Sequence, residues 1–114
     1  MKAYRARRGD IIWLSMNPQA RHEQAGRRPA LVISNDTFND YTKSGAMVCP
    51  ITNTDRGNAM HVQLDGRTAT AGVVMCDQAK ILDVASRKAE FIEKAPEDIV
   101  FEAVDIVAGI LEFD

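Results

Sequence analysis

Two cysteines and two histidines are all that this 114-residue chain offers toward a metal or redox centre. Cys49 and Cys76 lie in separate apolar runs, with no CxxC spacing and no histidine pair nearby, which argues against zinc and against a dithiol motif. They read as buried free thiols, and neither a metal nor a cofactor is expected. Several motifs are also missing: there is no P-loop, no GxGxxG turn, no GxSxG elbow and no HExxH helix. Nothing approaches the ~20 apolar residues of a membrane-crossing helix. MKAYRARRGD leads into an apolar run too short for a secretory signal. The expectation is a cytoplasmic protein with no membrane partner.

What is present fits one globular domain over residues 1–114, with 46% hydrophobic residues. A chain of this size buries roughly 65% of its unfolded surface, enough for a core without disulfides. The net charge of −2 conceals an asymmetry. Residues 1–60 carry nine Lys/Arg against five acids, and residues 61–114 carry five against eleven. A basic half can present a phosphate-binding face on an acidic protein, and it can equally be a solvated surface.

Apolar runs and turn signals outline the elements. DIIWLS (Asp10–Ser15) reads as a first strand, and Asn17 to Arg27 as a long loop without periodicity, of the kind that carries function. Arg28 to Ser34 is a second strand, since Pro29 pushes Arg28 toward extended dihedrals and Ala30 to Ile33 are continuously apolar. A helical turn is expected around Thr37 to Tyr41. Ala46 to Thr52 is a third strand whose Pro50 points to an edge or a bulge. Met60 to Leu64, Gly72 to Cys76, Ala79 to Leu82 and Arg87 to Ile92 are further strands, with a turn at Asp65-Gly66. Pro96 at a first helical position, followed by Glu97 and Asp98, opens a closing helix. In it Ile99, Ala103, Ile106, Val107 and Ile110 recur at helical spacing. Val100, Val104 and Leu111 widen that apolar face enough for a subunit contact beside the core. Many short strands and one helix predict a small antiparallel, barrel-like domain, with the loops after strands one and three meeting at one rim.

Arg28 and Thr52 stand out because each sits where a strand meets a loop. A guanidinium is a permanently charged fork matched to phosphate geometry. A threonine hydroxyl can donate to an oxyanion, and the two together can stabilise a pentacoordinate phosphorane. The competing reading pairs Arg28 with Glu23 in a salt bridge and Thr52 with backbone. His61, in mid-strand, reads as structural, whereas His22, beside Glu23 in the long loop, is in a more reactive setting.

EQAGRRPALVIS, PITNTDRG, GVVMCDQAKIL and the closing helix, in this order, resemble the MazF/PemK family of toxin–antitoxin toxins. The likeness begins at GDIIWL with its Asn-Pro, and EQxGxRP is its most specific block. The resemblance implies an SH3-like antiparallel barrel, mainly β with a C-terminal helix, and a homodimer. It also implies metal-independent cleavage of single-stranded RNA, in which the ribose hydroxyl attacks the adjacent phosphate and leaves a cyclic phosphate and a free hydroxyl. A cognate MazE/PemI-like antitoxin would occupy the RNA site.

Carried over by position, Arg28 matches the family arginine before proline and Thr52 the threonine that helps hold the phosphate. Glu23 and Gln24 match loop residues that shape the site, and Asp77-Gln78 a dipeptide facing RNA. The PemK-like branch relies on the loop histidine, an arginine two residues before the aspartate, and that aspartate. Here His22 and Asp77 match, but Met75 stands in place of the arginine. Arg28 with Thr52 is therefore the expected centre, with Glu23, His22 or Asp77 to take a proton. The high pKa of arginine suits it to clamp charge more than to give up a proton. Arg27 is assigned to phosphate binding, and Asn17, Asn53 and Arg56 join Gln24, Asp77 and Gln78 as RNA contacts. Two rival readings use the same fold: a gyrase-binding toxin of the CcdB kind, and a silent module that binds RNA or antitoxin without cutting. CcdB relies on an aromatic C-terminal end, which Leu111-Glu112-Phe113-Asp114 fits poorly.

Overall fold

The computed structural model describes residues 4–15 and 26–114. Among these residues seven strands, two helices and a short 3-10 turn follow one another. β1 (Asp10–Ser15) and β2 (Arg27–Val32) are followed by α1 (Asp36–Thr42) and β3 (Gly45–Thr52). β4 (His61–Gln63) and β5 (Val73–Met75) precede the 3-10 turn Cys76–Gln78, and β6 (Lys80–Asp83), β7 (Glu90–Lys94) and α2 (Glu97–Ile110) complete the chain. All strand pairings are antiparallel, in the order β4-β5-β3-β2-β1-β7, with β6 joined separately to β3. The two ends of that path do not pair, so the sheet curls in SH3-like fashion without closing.

β3 is central and its register is unbroken at Pro50, which corrects the expectation that Pro50 marks an edge or a bulge. One side of β3 pairs with β2 (Ala30↔Pro50, Leu31↔Cys49, Val32↔Val48). The other side is divided, Gly45–Val48 pairing with β6 and Ile51–Thr52 with β5. Ile33 N donates to Met47 O at 2.9 Å, so odd-numbered residues of β3 turn their amides toward β2 and even-numbered ones away. The missing donor of Pro50 thus faces the gap where β3 changes partners, a place where no ladder bond is lost. Among the described residues the register shifts elsewhere, between Ile11 and Ile12 where β1 meets β7.

Continuous apolar runs arise because the central strands are buried on both faces. Ile11, Leu31, Ile33, Cys49 and Ile51 point into a cluster with Val62, Val74, Cys76 and the helix residues Ile99, Val100 and Ala103. Their neighbours Ile12, Leu14, Ala30, Val32, Ala46 and Val48 point the other way, against Ala6 and Val84. Pro96 sits one position earlier than expected, as the cap before Glu97. Beyond Ala103, Val104, Ile106 and Val107 still pack half-buried against that cluster, and Ile110 and Leu111 are exposed.

Two buried or half-buried carboxylates tie the periphery to this frame. Asp10, only 3% exposed, accepts from the Tyr4 hydroxyl, from Arg7 N at 3.1 Å and from Lys94 Nζ at 2.6 Å. Burial and the neighbouring Asp10 push the Tyr4 hydroxyl well above its ordinary range. Glu93 on β7 accepts from Ala69 N at 3.0 Å, Thr70 N at 2.8 Å and Thr70 Oγ1 at 2.7 Å. Burial pushes the Glu93 carboxyl up, but these donors outweigh it and hold it below the ordinary 4.5. A carboxyl lowered in the folded state stabilises the fold above its unfolded value and loses that contribution as pH falls through the folded one. Urea unfolding of the native chain and of Glu93→Gln will accordingly show a stability gap that is widest above pH 4.5 and narrows below it.

Candidate RNA-cleavage site

β1, β2 and β3 end side by side, and a cavity of about 260 Å³ lies there. It is lined by Trp13, Gly26, Arg28, Pro29, Thr52 and Asn53, together with Arg27 and Ile51. Two loops reach it: Gly26 ends the one between β1 and β2, and Asn53 begins the one after β3. The expected meeting of those loops at one rim holds to that extent. Arg28 pairs with Leu14 on β1, and the β2–β3 register carried two residues beyond Ala30↔Pro50 sets it across from Thr52. Strand pairing is therefore what brings these two residues, 24 positions apart in sequence, to the same cavity.

Their bonding states differ. Among the described residues Arg28, half-buried, has no hydrogen-bond or ion-pair partner. Thr52 Oγ1 accepts from Thr54 N at 3.3 Å, a turn contact of the kind the competing reading foresaw. A hydroxyl that accepts one bond keeps its proton to donate, so this contact fixes Thr52 without consuming it. Arg27, expected to bind phosphate, is engaged: its guanidinium meets the Glu90 carboxylate and donates to Lys88 O at 3.0 Å. That ion pair holds the start of β2 against β7. His22, Glu23, Gln24 and Asn17 lie outside the described residues.

The remaining expected contacts fall along the sheet. Thr52 pairs with Val73 and Val73 with Gln63, one row across β3, β5 and β4. At about 4.8 Å per strand the row spans roughly 10 Å. Two positions back along β4 from Gln63, His61 lies opposite Met75. A second cavity, about 460 Å³, opens here between Asp55, Asn58, His61, Gln63 and Glu102. Gln63 Nε2 donates to Asp55, and the Gly57 amide, Gln63 and His61 together lower the Asp55 carboxyl. Asp77, in the 3-10 turn, meets His61 Nε2 at 3.2 Å. Arg56 and Gln78 are exposed nearby in sequence, on the loop after Thr52 and in that same turn. Among the described residues no group of three His, Cys, Asp or Glu side chains is arranged to hold a metal ion.

Sequence reasoning alone did not reach three features. Trp13 forms part of the first cavity while 41% exposed, although its strand reads as core. The His61–Asp77 contact depends on the β4–β5 register, which no motif announces. Gly72 is the third: a Cβ there would lie 2.2 Å from Thr52 O, and its φ of +117° disfavours any side chain. Gly72→Ala must therefore push the end of β3 aside. We expect a loss of at least ~2 kcal/mol in urea unfolding, with activity falling further than stability accounts for, in a chain whose Arg28 and Thr52 are intact.

The comparisons with known proteins agree with this architecture. A family model described as PemK-like, MazF-like toxin of type II toxin–antitoxin system matches residues 7–111. Endoribonuclease PemK of Escherichia coli is 38% identical over 108 residues, covering 91% of this chain and 80% of the relative. Endoribonuclease toxin ChpB of E. coli K12 is 34% identical over 110 residues, covering 92% and 93%. The MazF chain matched in a MazE–MazF crystal structure from Deinococcus radiodurans superposes with a TM-score of 0.85 at 38% identity, covering 95% of this chain and 96% of that one. On the fold, the match over nearly its whole length and the identity to its relatives, the chain belongs to the PemK/MazF toxin family of type II toxin–antitoxin systems.

Proposed function

We propose that this chain is an endoribonuclease toxin that cuts single-stranded RNA at short sequences without a metal ion, with Arg28 and Thr52 at the reacting phosphate. The observation that carries this reading is the cavity at the strand ends, where a guanidinium with no partner among the described residues lies across from a hydroxyl whose proton is available. RNA supplies its own nucleophile. The ribose 2'-oxygen bonds to phosphorus as its proton leaves, the bond to the 5'-oxygen breaks, and that oxygen takes up a proton. The products are a 2',3'-cyclic phosphate and a 5'-hydroxyl. The protein must align the three reacting centres and stabilise the added negative charge. Arg28 acts as the clamp, Thr52 donates to a phosphate oxygen, and bases splayed from the single strand are read by Asn53, Arg56, Gln78 and the loop before Gly26. Glu23 or His22 remain candidates for the proton, beside Asp77.

This reading is supported by the endoribonuclease relatives, which span the chain, and the gyrase-binding alternative finds no such relative among them. The solved MazE–MazF complexes support a cognate antitoxin as partner. We place the protein in the cytoplasm, where its substrate is; among the described residues no helix is long and apolar enough to cross a membrane.

Purified protein incubated with a long single-stranded RNA in excess EDTA is expected to cut at a recurring short motif and leave cyclic-phosphate ends. Arg28→Ala should lower the rate at least ~100-fold while remaining folded. RNA left intact by the native chain sinks the reading, and near-native activity of the Arg28 variant removes Arg28 from the centre.

The expected homodimer has a surface to match. An apolar groove of about 290 Å³ runs between Phe38, Met47, Ile81, Val104, Val107 and Leu111, with Ile81 and Leu111 exposed. Sedimentation at micromolar concentration should give twice the chain mass, and Ile81→Glu with Leu111→Glu should give the single chain. A native chain that sediments as a monomer contradicts the assignment.

A further inference from the structure

The β4–β5 hairpin places a histidine behind an aspartate in a way that assigns both a task. β5 runs straight into the 3-10 turn Cys76–Gln78, and this brings Asp77 back over His61, two positions beyond its strand partner Met75. The imidazole is largely buried, with 11% of its side chain exposed, whereas Asp77 is 38% exposed. His61 Nε2 meets Asp77 Oδ1 at 3.2 Å. The other ring nitrogen, Nδ1, is buried and has no partner among the described residues.

A ring in this position has one usable nitrogen, and it is directed at Asp77. With its proton on Nε2, the imidazole donates to the carboxylate; with the proton on Nδ1, a lone pair would face Oδ1. The buried Nδ1 is costly, and an apolar side chain packed against the same neighbours would avoid that cost. Among the described residues Asp77 has no hydrogen-bond or ion-pair partner other than His61. The residues that line the cavity beside His61 include the carboxylates Asp55 and Glu102 and the amides Asn58 and Gln63, with no lysine or arginine. Asp55 is already held by Gln63 Nε2 and the Gly57 amide.

We propose that His61 is a positioning residue for Asp77, the position that matches the aspartate of the PemK-like branch and is already a candidate to take the proton. This rests on the RNA-cleavage reading. The Nε2–H bond fixes the direction of the carboxylate and engages Oδ1, and Oδ2, with no partner among the described residues, takes the 2'-hydroxyl proton as the 2'-oxygen bonds to phosphorus. The departing 5'-oxygen takes a proton from water. His61 never touches the substrate.

Cleavage kinetics on an RNA carrying the mapped motif distinguish this from a packing role. His61→Leu should lower kcat at least ~10-fold with KM within about twofold. His61→Gln, whose amide can still donate to Oδ1, should stay within about threefold of the native chain. In an Asp77→Asn background, adding His61→Leu should cost nothing further, because the two act as one unit. Circular dichroism checks that each variant is folded. Should His61→Leu fail to fold, His61→Asn takes its place in every arm, since its shorter amide leaves Asp77 unbonded. The proposal is overturned by full kcat from a folded His61→Leu, by an equal loss in the Asp77→Asn background, or by a glutamine variant as impaired as the leucine one. Each of those outcomes leaves RNA cleavage itself standing, whereas a native chain that cuts no RNA overturns both.

Discussion

The divided edge of β3 is the constraint on which the rest of the molecule depends. One strand cannot pair with two partners on the same side unless it offers a break in its ladder, and Pro50 provides that break by having no amide proton where the partners change. Before it, β6 turns the Val48 side of the sheet into the pocket that Ala6 and Val84 fill. After it, β5 and β4 carry the sheet toward α2 and fill the opposite face with Val62, Val74 and Cys76. Thr52 ends the second segment, and the 3-10 turn bearing Asp77 follows β5, the partner of that segment. The candidate site therefore sits on the segment that the partner change creates.

Burial on both faces explains why such short strands suffice. Four of the six β1 residues are buried, and a fully buried Ile or Leu side chain contributes about 1.5–3 kcal/mol. The exposed member of β1 is Trp13, and it is exposed where the cavity opens. Polar anchors then fasten the margins of the frame. Asp10 joins the N-terminal segment to β7, Arg27 joins the start of β2 to Glu90, and Glu93 ties the β4–β5 connection to the same strand. β7 takes part in all three, so an edge strand with few core residues serves as the tie-beam of the domain.

Much of this was legible in the sequence, for identifiable reasons. Asp10–Ser15 is a strand at its expected bounds because a glycine enters it and its apolar run is unbroken. α2 was legible because its period changes and Glu97 and Asp98 mark its first turn. Arg28 was legible because proline behind it fixes its backbone at a loop mouth. What failed to show was everything decided by pairing between distant strands. Pro50 signalled a break correctly, but a break on one side of a central strand cannot be told from an outer edge without knowing the neighbours. The ion pair of Arg27 with Glu90 was not legible either, because it depends on β7 lying beside the start of β2. His61 looked structural from its place in mid-strand; its ring is indeed buried, yet its partner is an exposed carboxylate contributed by the other arm of the hairpin.

The contact of Gly72 with the Thr52 carbonyl has a practical consequence. Proteins that arrest growth are hard to produce in living cells, and the usual remedy removes a reacting group, which also alters the surface that an inhibitor covers. Here a single methyl group at position 72 would act from beneath β3, on backbone alone. Every side chain that faces solvent would keep its chemistry, so a chain disarmed in this way could be made in quantity and used as bait for its natural antagonist.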